Sequence, residues 1–169
     1  MKTSFDSQAL ALIEEHVLRL LHSMGFKQSS VRCSADRKKE NDQEQQQEDC
    51  LLVQVDAGDD GKLLIGTQGC HLIAFQHITR SLLRRQLAQH VYINVDVNGY
   101  RARRERVLVS LAETAARRAI AQGRAVVLRP MEASDRRMIH ASLAGRSDVR
   151  TESLGDDPNR RVVIRPVFL

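Results

Sequence analysis

Two glycines, Gly66 and Gly69, stand three positions apart between an apolar run at residues 62–65 and an amphipathic segment that begins near Cys70. We call residues 66–69 the Gly66 loop. Glycine lets another chain approach the backbone closely, and the N–H groups at the start of a helix favour an anion. The expected chemistry is the binding of a phosphate by main-chain N–H groups. The apolar run before the loop is typical of a strand.

A second pair of glycines has the same spacing at residues 58–61, which we call the Gly58 loop. Such pairs are not specific, because the nine glycines of this chain produce about 0.5 of them by chance at an ordinary glycine usage. Asp59 and Asp60 would repel a phosphate, so we interpret the Gly58 loop as a plain turn. A plain turn is also the alternative interpretation of the Gly66 loop.

A pair of another kind, Arg136 and His140, is spaced by one helical turn. Residues four apart share a helix face, and we expect this face to lie opposite Met138 and Ile139. The chain has many arginines, so the pair alone is weak support for a site. Its sequence context, described below, makes it informative.

Two clusters offer residue types that catalysis uses. One contains Glu132, Asp135 and His140 as a general acid and base, and the other pairs Cys70 with His71. Adjacent helical residues point about 100° apart, and residues five apart do not face each other, so neither cluster is aligned to share a proton. A polar core thiol and solvated charges explain these residues, and we predict that the chain is not an enzyme.

The composition excludes several further classes of protein. Aromatic residues make up only 4% of the chain and Trp is absent, so base stacking on exposed rings contributes little. The three cysteines lack the paired spacing of a zinc site, and we predict no metal and no cofactor. Charged residues interrupt the first 26 positions, so we predict neither a signal peptide nor membrane insertion.

Charge is distributed unevenly along the chain. Residues 1–100 hold 11 Lys and Arg against 13 Asp and Glu, a net −2, whereas residues 101–169 hold 15 against 8, a net +7. The second half therefore has the electrostatic character expected of a polyanion-binding protein. A solvated basic face without a ligand is the alternative.

Patterning predicts the elements that position these residues. In the first half, Asp6 or Ser7 caps a helix that ends at Gly25. Apolar alternation then predicts strands, and residues 36–49, which are charged or polar, are expected to form an extended mobile hairpin loop. The remaining elements of this half are a helix over residues 72–83 and a strand over residues 91–97.

In the second half, Asn98 and Gly99 turn the chain into a long helix that stops at Gly123. A further helix is expected from Glu132 or Ser134 to about Gly145. Short apolar runs predict three strands, at residues 126–128, 149–153 and 160–165, the last two joined by a turn at residues 155–159.

Several ordered blocks of sequence together carry a family resemblance. They are Leu64-Ile65-Gly66-x-x-Gly69, Tyr100-Arg101-x-Arg103-Arg104, Gly123-x-x-Val126-Val127-Leu128-Arg129-Pro130-Met131, Asp135-Arg136-Arg137-Met138-Ile139-His140, Thr151-Glu152-Ser153-x-Gly155 and Arg160-x-Val162-Val163-Ile164. In this order and spacing the chain resembles the bacterial Jag family, also called SpoIIIJ-associated proteins. These proteins join a KH domain to a small domain named for its Arg-x-x-x-His motif.

The resemblance implies an α+β protein of two domains. Residues 1–97 would form a KH-type RNA-binding domain, an α/β sandwich of the bacterial form, and the order of predicted elements agrees with it. Residues 98–169 would form an Arg-x-x-x-His single-stranded nucleic-acid-binding domain, with a three-stranded sheet packed on helices. The chain resembles a short form of the family, in which the N-terminal extension of longer members is expected to be absent.

The resemblance also implies a nucleic-acid-binding surface in two parts. In the first part, Gly66, Thr67, Gln68 and Gly69 would hold the strand through the main chain, although the family usually carries Lys or Arg between the glycines. In the second, Arg136 would donate to a phosphate and His140 would hydrogen-bond or stack. Their expected neighbours are Arg101, Arg104, Arg137 and Arg160. Alternatively, His140 caps a packing contact and Arg136 pairs with Asp135 or Glu132 on the surface.

The expected function is non-catalytic binding of single-stranded RNA in the cytoplasm, as a post-transcriptional regulator or RNA chaperone. The family resemblance implies a second small KH protein as a partner and a link to cell envelope growth or division. Two alternatives are single-stranded DNA binding and a protein-interaction scaffold.

Overall fold

The computed structural model describes residues 6–37, 49–84 and 92–168 of the chain. The chain divides into two compact units, Met1–Tyr100 and Arg101–Leu169. Each unit combines helices with one small three-stranded sheet, so the predicted α+β class is confirmed.

The first helix, α1 (Ser7–Ser23), has the ends that its sequence predicts. The Asp6 carboxylate accepts a hydrogen bond of 2.7 Å from the Ala9 N–H, which satisfies one of the unpaired donors at the helix start. Gly25 follows the helix at φ +99°, a conformation that glycine adopts without strain. One face of α1 is buried through Ile13, Val17 and Leu21.

The sheet of the first unit has the order β1-β2-β3. Strands β1 (Ser30–Arg37) and β2 (Asp49–Asp56) are antiparallel, and β3 (Tyr92–Val97) runs parallel to β2. Parallel neighbours need a long crossover connection. This crossover contains a short helix, α2 (Gly61–Ile65), the Gly66 loop and a longer helix, α3 (Cys70–Arg84). The inward face of the sheet packs against the buried faces of the helices in one hydrophobic core.

Two predictions in this unit need correction. Residues 62–65 are not strand-like but belong to α2, with Leu64 and Ile65 buried and Leu63 exposed. A short apolar run does not distinguish a strand from a buried helical turn, and packing decides here. The predicted loop at residues 36–49 is also too long, because the antiparallel ladder still pairs Asp36 with Cys50 and Arg37 with Asp49. Residues 38–48 and Val91 lie outside the described residues.

The second unit is built on α4 (Tyr100–Gln122), α5 (Ala133–Leu143) and a sheet of order β4-β6-β5. The strands β4 (Val126–Val127), β5 (Val149–Leu154) and β6 (Arg161–Pro166) are all antiparallel. Ile139 and Leu143 of α5 share a core with residues of the sheet and of α4. The predicted three-stranded sheet packed on helices is thus present.

The buried face of α4 consists mainly of alanine. Leu108, Ala112, Ala115, Ala116 and Ala119 are buried, whereas Val107 is 57% exposed and Leu111 is 40% exposed. Alanine is small enough to let neighbouring elements pack closely against this face of α4. The larger side chains of Val107 and Leu111 lie on the solvent side of the helix.

Candidate nucleic-acid interface

The Gly66 loop joins the end of α2 to the start of α3. The Gly66 N–H donates to the Lys62 carbonyl oxygen at 3.0 Å and so closes α2. Gly66 lies at φ +71° and ψ −177°, a region that only glycine occupies readily. Gln68 and Gly69 also have positive φ, of +54° and +88°. The result is a tight 3-10 turn over Thr67–Gly69.

The hydrogen bonds of this loop show which main-chain donors remain available. The Gly69 N–H donates to the Gly66 carbonyl oxygen at 3.3 Å, and the Cys70 N–H donates to the Thr67 carbonyl oxygen. Among the described residues, the N–H groups of Thr67 and Gln68 have no main-chain or side-chain acceptor. Both side chains are accessible to solvent. The available donors therefore lie in the middle of the loop, before the first residue of α3.

Packing within the protein accounts for the glycines themselves. A Cβ on Gly66 would lie 2.5 Å from Cγ of His71, whose Nδ1 is 2.7 Å from the Leu63 carbonyl oxygen. A Cβ on Gly69 would lie 2.9 Å from Cε1 of Tyr100. Both glycines are required whether or not a ligand binds. Support for a binding role therefore comes from the two available N–H groups and not from the glycine spacing.

In the Gly58 loop, side chains hold the main chain around the first glycine, while the Asp59 N–H, like that of Gln68, has no acceptor among the described residues. The Asp56 carboxylate accepts from the Gly58 N–H at 3.0 Å, and the Asn98 side chain accepts from the Ala57 N–H at 2.9 Å and donates to the Gly58 carbonyl oxygen at 2.8 Å. These bonds close a 3-10 turn over Gly58–Asp60. The Gly58 loop is a turn, as the sequence predicted.

Arg136 does not lie where the helical spacing suggested. Its side chain is only 8% exposed, and its Nη1 donates to the Met131 carbonyl oxygen at 2.7 Å and to the Asp157 carboxylate at 3.1 Å. The expectation that Arg136 faces away from Ile139 is wrong. The two residues are three apart and both are buried, so they belong to the same face of α5.

Arg104 is likewise held by a carboxylate. Its Nε and Nη2 donate to one oxygen of Asp135 at 3.2 and 2.6 Å, and the two side chains are 24% and 10% exposed. This bond links α4 to the first turn of α5. Arg101 is exposed in the first turn of α4.

His140 is half-buried and both of its ring nitrogens have partners. Nδ1 lies 2.6 Å from Oγ1 of Thr151, and Nε2 lies 2.9 Å from Oγ of Ser153. Burial, with the nearby charge of Arg136, lowers the pKa of His140 below its usual value. The ring is therefore neutral at pH 7. A neutral imidazole donates from one nitrogen and accepts at the other, so one hydroxyl accepts from it and the other donates to it.

The remaining predicted arginines are accessible. Arg137 on α5 and Arg160, just before β6, are both exposed. The Met131 N–H donates to the Arg160 carbonyl oxygen at 3.2 Å, and the Met131 carbonyl oxygen is the one that accepts from Arg136. The structure therefore brings the Arg160 main chain and the Arg136 side chain to the same loop.

Four residues that contact the predicted Arg and His side chains were not among the predicted site residues: Asp135, Thr151, Ser153 and Asp157. Thr151 and Ser153 could have been found, because residues two apart on a strand point to the same face. Asp135 and Asp157 carry no such signal, since their partners Arg104 and Arg136 are distant in sequence.

Metal-ligating clusters and membrane-spanning helices are both absent from the described part of the chain. No group of three or more His, Cys, Asp or Glu residues there could hold a metal ion. Within the same residues, no helix has the length and apolar character that crossing a membrane requires.

Comparison with known proteins bears on the second unit first. Residues 106–166 match the family of the R-three-H domain, whose name abbreviates the Arg-x-x-x-His motif. The chain contains an R-three-H domain. The domain includes Arg136, Arg137, His140 and Arg160, while Arg101 and Arg104 precede the matched residues. It also includes Thr151, Ser153 and Asp157.

Three relatives extend the similarity beyond the R-three-H domain, and each is named RNA-binding protein KhpB. The protein from Lactiplantibacillus plantarum is 43% identical over 102 residues, which are 60% of this chain and 32% of the relative. The relative from Clostridium symbiosum is 35% identical over 63% of this chain and 48% of its own length, and the one from Bacillus subtilis is 34% identical over 63% and 52%. The predicted resemblance to the Jag family is confirmed. The matched part of this chain corresponds to about a third to a half of these curated relatives.

Proposed function

We propose that this protein binds single-stranded RNA without catalysing a reaction. Residues 1–97 act as a KH-type domain that holds the strand through the Gly66 loop, and residues 98–169, which contain the R-three-H domain, supply cationic contacts. The observation that carries this proposal is the pair of N–H groups of Thr67 and Gln68, available in an accessible loop that contains no carboxylate. The names of the relatives agree with it.

The two units bind the strand by different means. In the Gly66 loop, two adjacent N–H groups supply directional donors for a phosphate oxygen, as at other anion-binding turns. In the second half, the net charge of +7 attracts the strand, and the exposed side chains of Arg101, Arg137 and Arg160 contact phosphates. Arg104 and His140 are hydrogen-bonded within the protein, and they stabilise the backbone that carries the exposed arginines.

Three of the side chains that could support catalysis, Asp135, His140 and His71, have other partners. The Asp135 carboxylate is bound by Arg104, and the ring nitrogens of His140 are engaged by two hydroxyls. His71 Nδ1 is directed at the Leu63 carbonyl oxygen and not at Cys70. These contacts support a binding role.

The wider role follows from the family resemblance. We propose a cytoplasmic post-transcriptional regulator or RNA chaperone that cooperates with a second small KH protein and is linked to cell envelope growth or division. None of these roles requires insertion into a membrane.

Carboxylates placed between Gly66 and Gly69 test the binding loop. We expect Thr67→Asp with Gln68→Asp to weaken binding of a labelled 12-nucleotide RNA by about tenfold or more, because two negative charges would lie beside a phosphate. The reference is Thr67→Asn with Gln68→Asn, which has the same shape without the charge, and Asn and Asp both tolerate positive φ. Fluorescence anisotropy at low salt provides the affinity.

Equal affinities of the Asp and Asn variants would show that the Gly66 loop is not the site. The same measurement with a deoxy oligonucleotide of matched sequence tests the choice of RNA. Equal binding of the two strands would favour single-stranded nucleic acid in general, because neither part of the surface requires the 2′-hydroxyl.

A further inference from the structure

The ion pairs of Arg104 and Arg136, two of those in the second unit, differ in the exposure of their carboxylates. Asp135, the partner of Arg104, is 10% exposed, whereas Asp157, the partner of Arg136, is 69% exposed. Asp157 belongs to the turn between β5 and β6 and is not part of either strand. A buried guanidinium is therefore paired with a carboxylate that stands largely in water.

Arg136 is fixed independently of Asp157. Its Nη1 donates to the Met131 carbonyl oxygen at 2.7 Å, a bond between two buried residues. Its contact with Asp157, at 3.1 Å, is longer than the 2.7–2.9 Å of a typical charge-assisted bond. Removal of Asp157 would leave Arg136 in place with one donor directed at the surface.

A buried cation needs an anion nearby, because an uncompensated buried charge is strongly destabilising. A guanidinium binds carboxylate and phosphate oxygens with the same geometry. The Asp157 carboxylate stands largely in water, so its exchange for a phosphate oxygen, which keeps an anion beside Arg136, costs little. The exposed side of the pair is also the side that a polyanion would approach.

We propose that the Asp157 carboxylate occupies a phosphate subsite of the R-three-H domain, and that a phosphate of the bound strand displaces it to contact Arg136. This proposal rests on the proposed function. Asp157 then acts as an internal competitor that lowers affinity and keeps Arg136 paired when no strand is bound. The Arg160 main chain stays attached to Met131 during the exchange, so only the turn at residues 155–159 has to move.

The turn itself offers a matched control. Asp156 precedes Asp157, is exposed, and has no side-chain hydrogen bond or ion pair among the described residues. Asp156→Asn and Asp157→Asn therefore remove the same charge from the same turn, but only Asp157→Asn removes the competitor. We expect Asp157→Asn to bind a 12-nucleotide RNA about two- to fivefold more tightly than Asp156→Asn, which corresponds to the contribution of an exposed pair.

Equal affinities of the two variants would overturn the subsite while leaving the proposed function intact. Absence of any binding by the unmodified protein at low ionic strength would overturn both. A second measurement avoids variants altogether. The NMR signals of the Arg136 side-chain N–H groups in the unmodified protein should shift during titration with the RNA. Unchanged signals at saturation would contradict the exchange.

Discussion

The Gly58 loop and the Gly66 loop have the same glycine spacing and lie close together in sequence, yet carboxylates stand between the glycines of the first and neutral side chains between those of the second. In the Gly58 loop, Asp56 accepts from the Gly58 N–H and Asn98 binds the main chain on both sides of it. In the Gly66 loop, Thr67 and Gln68 keep their N–H groups available. The comparison teaches that side-chain hydrogen bonds and side-chain charge together separate a structural turn from a candidate binding loop, whereas glycine spacing does not.

The same distinction applies to the arginines of the second unit. Arg104 is bound by a largely buried carboxylate, so its donors are committed to the fold. Arg136 is bound by an exposed carboxylate that a ligand could replace. Two arginines of the same unit thus differ in their availability to a ligand, because one is paired with a buried carboxylate and the other with an exposed one.

The strongest test of the comparison replaces one glycine in each loop. We expect Gly66→Ala to lower the free energy of unfolding by about 3–5 kcal/mol, because the φ and ψ angles of Gly66 exclude a side chain and the new Cβ would overlap the His71 ring. Gly58→Ala should cost only about 1 kcal/mol, since φ is +51° and nothing lies within 4 Å. Urea denaturation of both variants provides the values.

Similar losses in the two variants would show that the contact with His71 is easily relaxed. The two loops would then differ in their hydrogen bonds alone.

A smaller loss of stability is expected on substitution of Asn98, whose side chain hydrogen-bonds to the main chain of Ala57 and Gly58. Asn98→Ala should lower the free energy of unfolding by about 2–3 kcal/mol, because it removes two hydrogen bonds and places alanine at a φ of +51°. Asn98→Gly loses the same bonds but tolerates this φ, so it should be less destabilised by about 1 kcal/mol. Thermal or urea unfolding separates the two contributions. Equal stability of Asn98→Ala and the unmodified protein would show that the Gly58 loop does not depend on this side chain.

The smallest effect concerns the neutral ring of His140, whose nitrogens are satisfied by hydroxyls. Because folding lowers the pKa of His140, the unfolded chain binds the proton more readily than the folded chain. The contribution of His140 to stability is present above about pH 6.5 and is lost as the pH falls below that value. We expect the urea midpoint to fall between pH 7.5 and pH 5 by more in the unmodified protein than in His140→Gln. An identical pH dependence would contradict this assignment.

Local patterns were sufficient to predict most of the fold. The Asp6 cap, the helix end before Gly25 and the alternating residues of β3 depend on neighbours in sequence, and these predictions are confirmed. The helix α2 was missed because its few residues contain an apolar run without a distinguishing period. Its conformation depends on the burial of Leu64 and Ile65 against other elements.

The candidate site was less predictable for the same reason. The sequence identified Arg136 and His140 as a pair, but their spacing did not reveal that Arg136 shares the buried face of α5 with Ile139. The partners Thr151, Ser153 and Asp157 come from a hairpin that reaches α5 only in the folded structure. The periodicity of apolar residues within one helix or strand does not predict which distant segment will contact it.

The crossover between β2 and β3 has a consequence for how this protein could diversify. It anchors the Gly66 loop on both sides, through Leu64 and Ile65 before it and through Leu72 and Phe75 after it. Because the glycines and these anchors define the backbone, Thr67 can change without disturbing the fold, and Gln68 can change to residues that tolerate its φ of +54°. Such changes would alter the side chains beside the two available N–H groups while the scaffold stays constant.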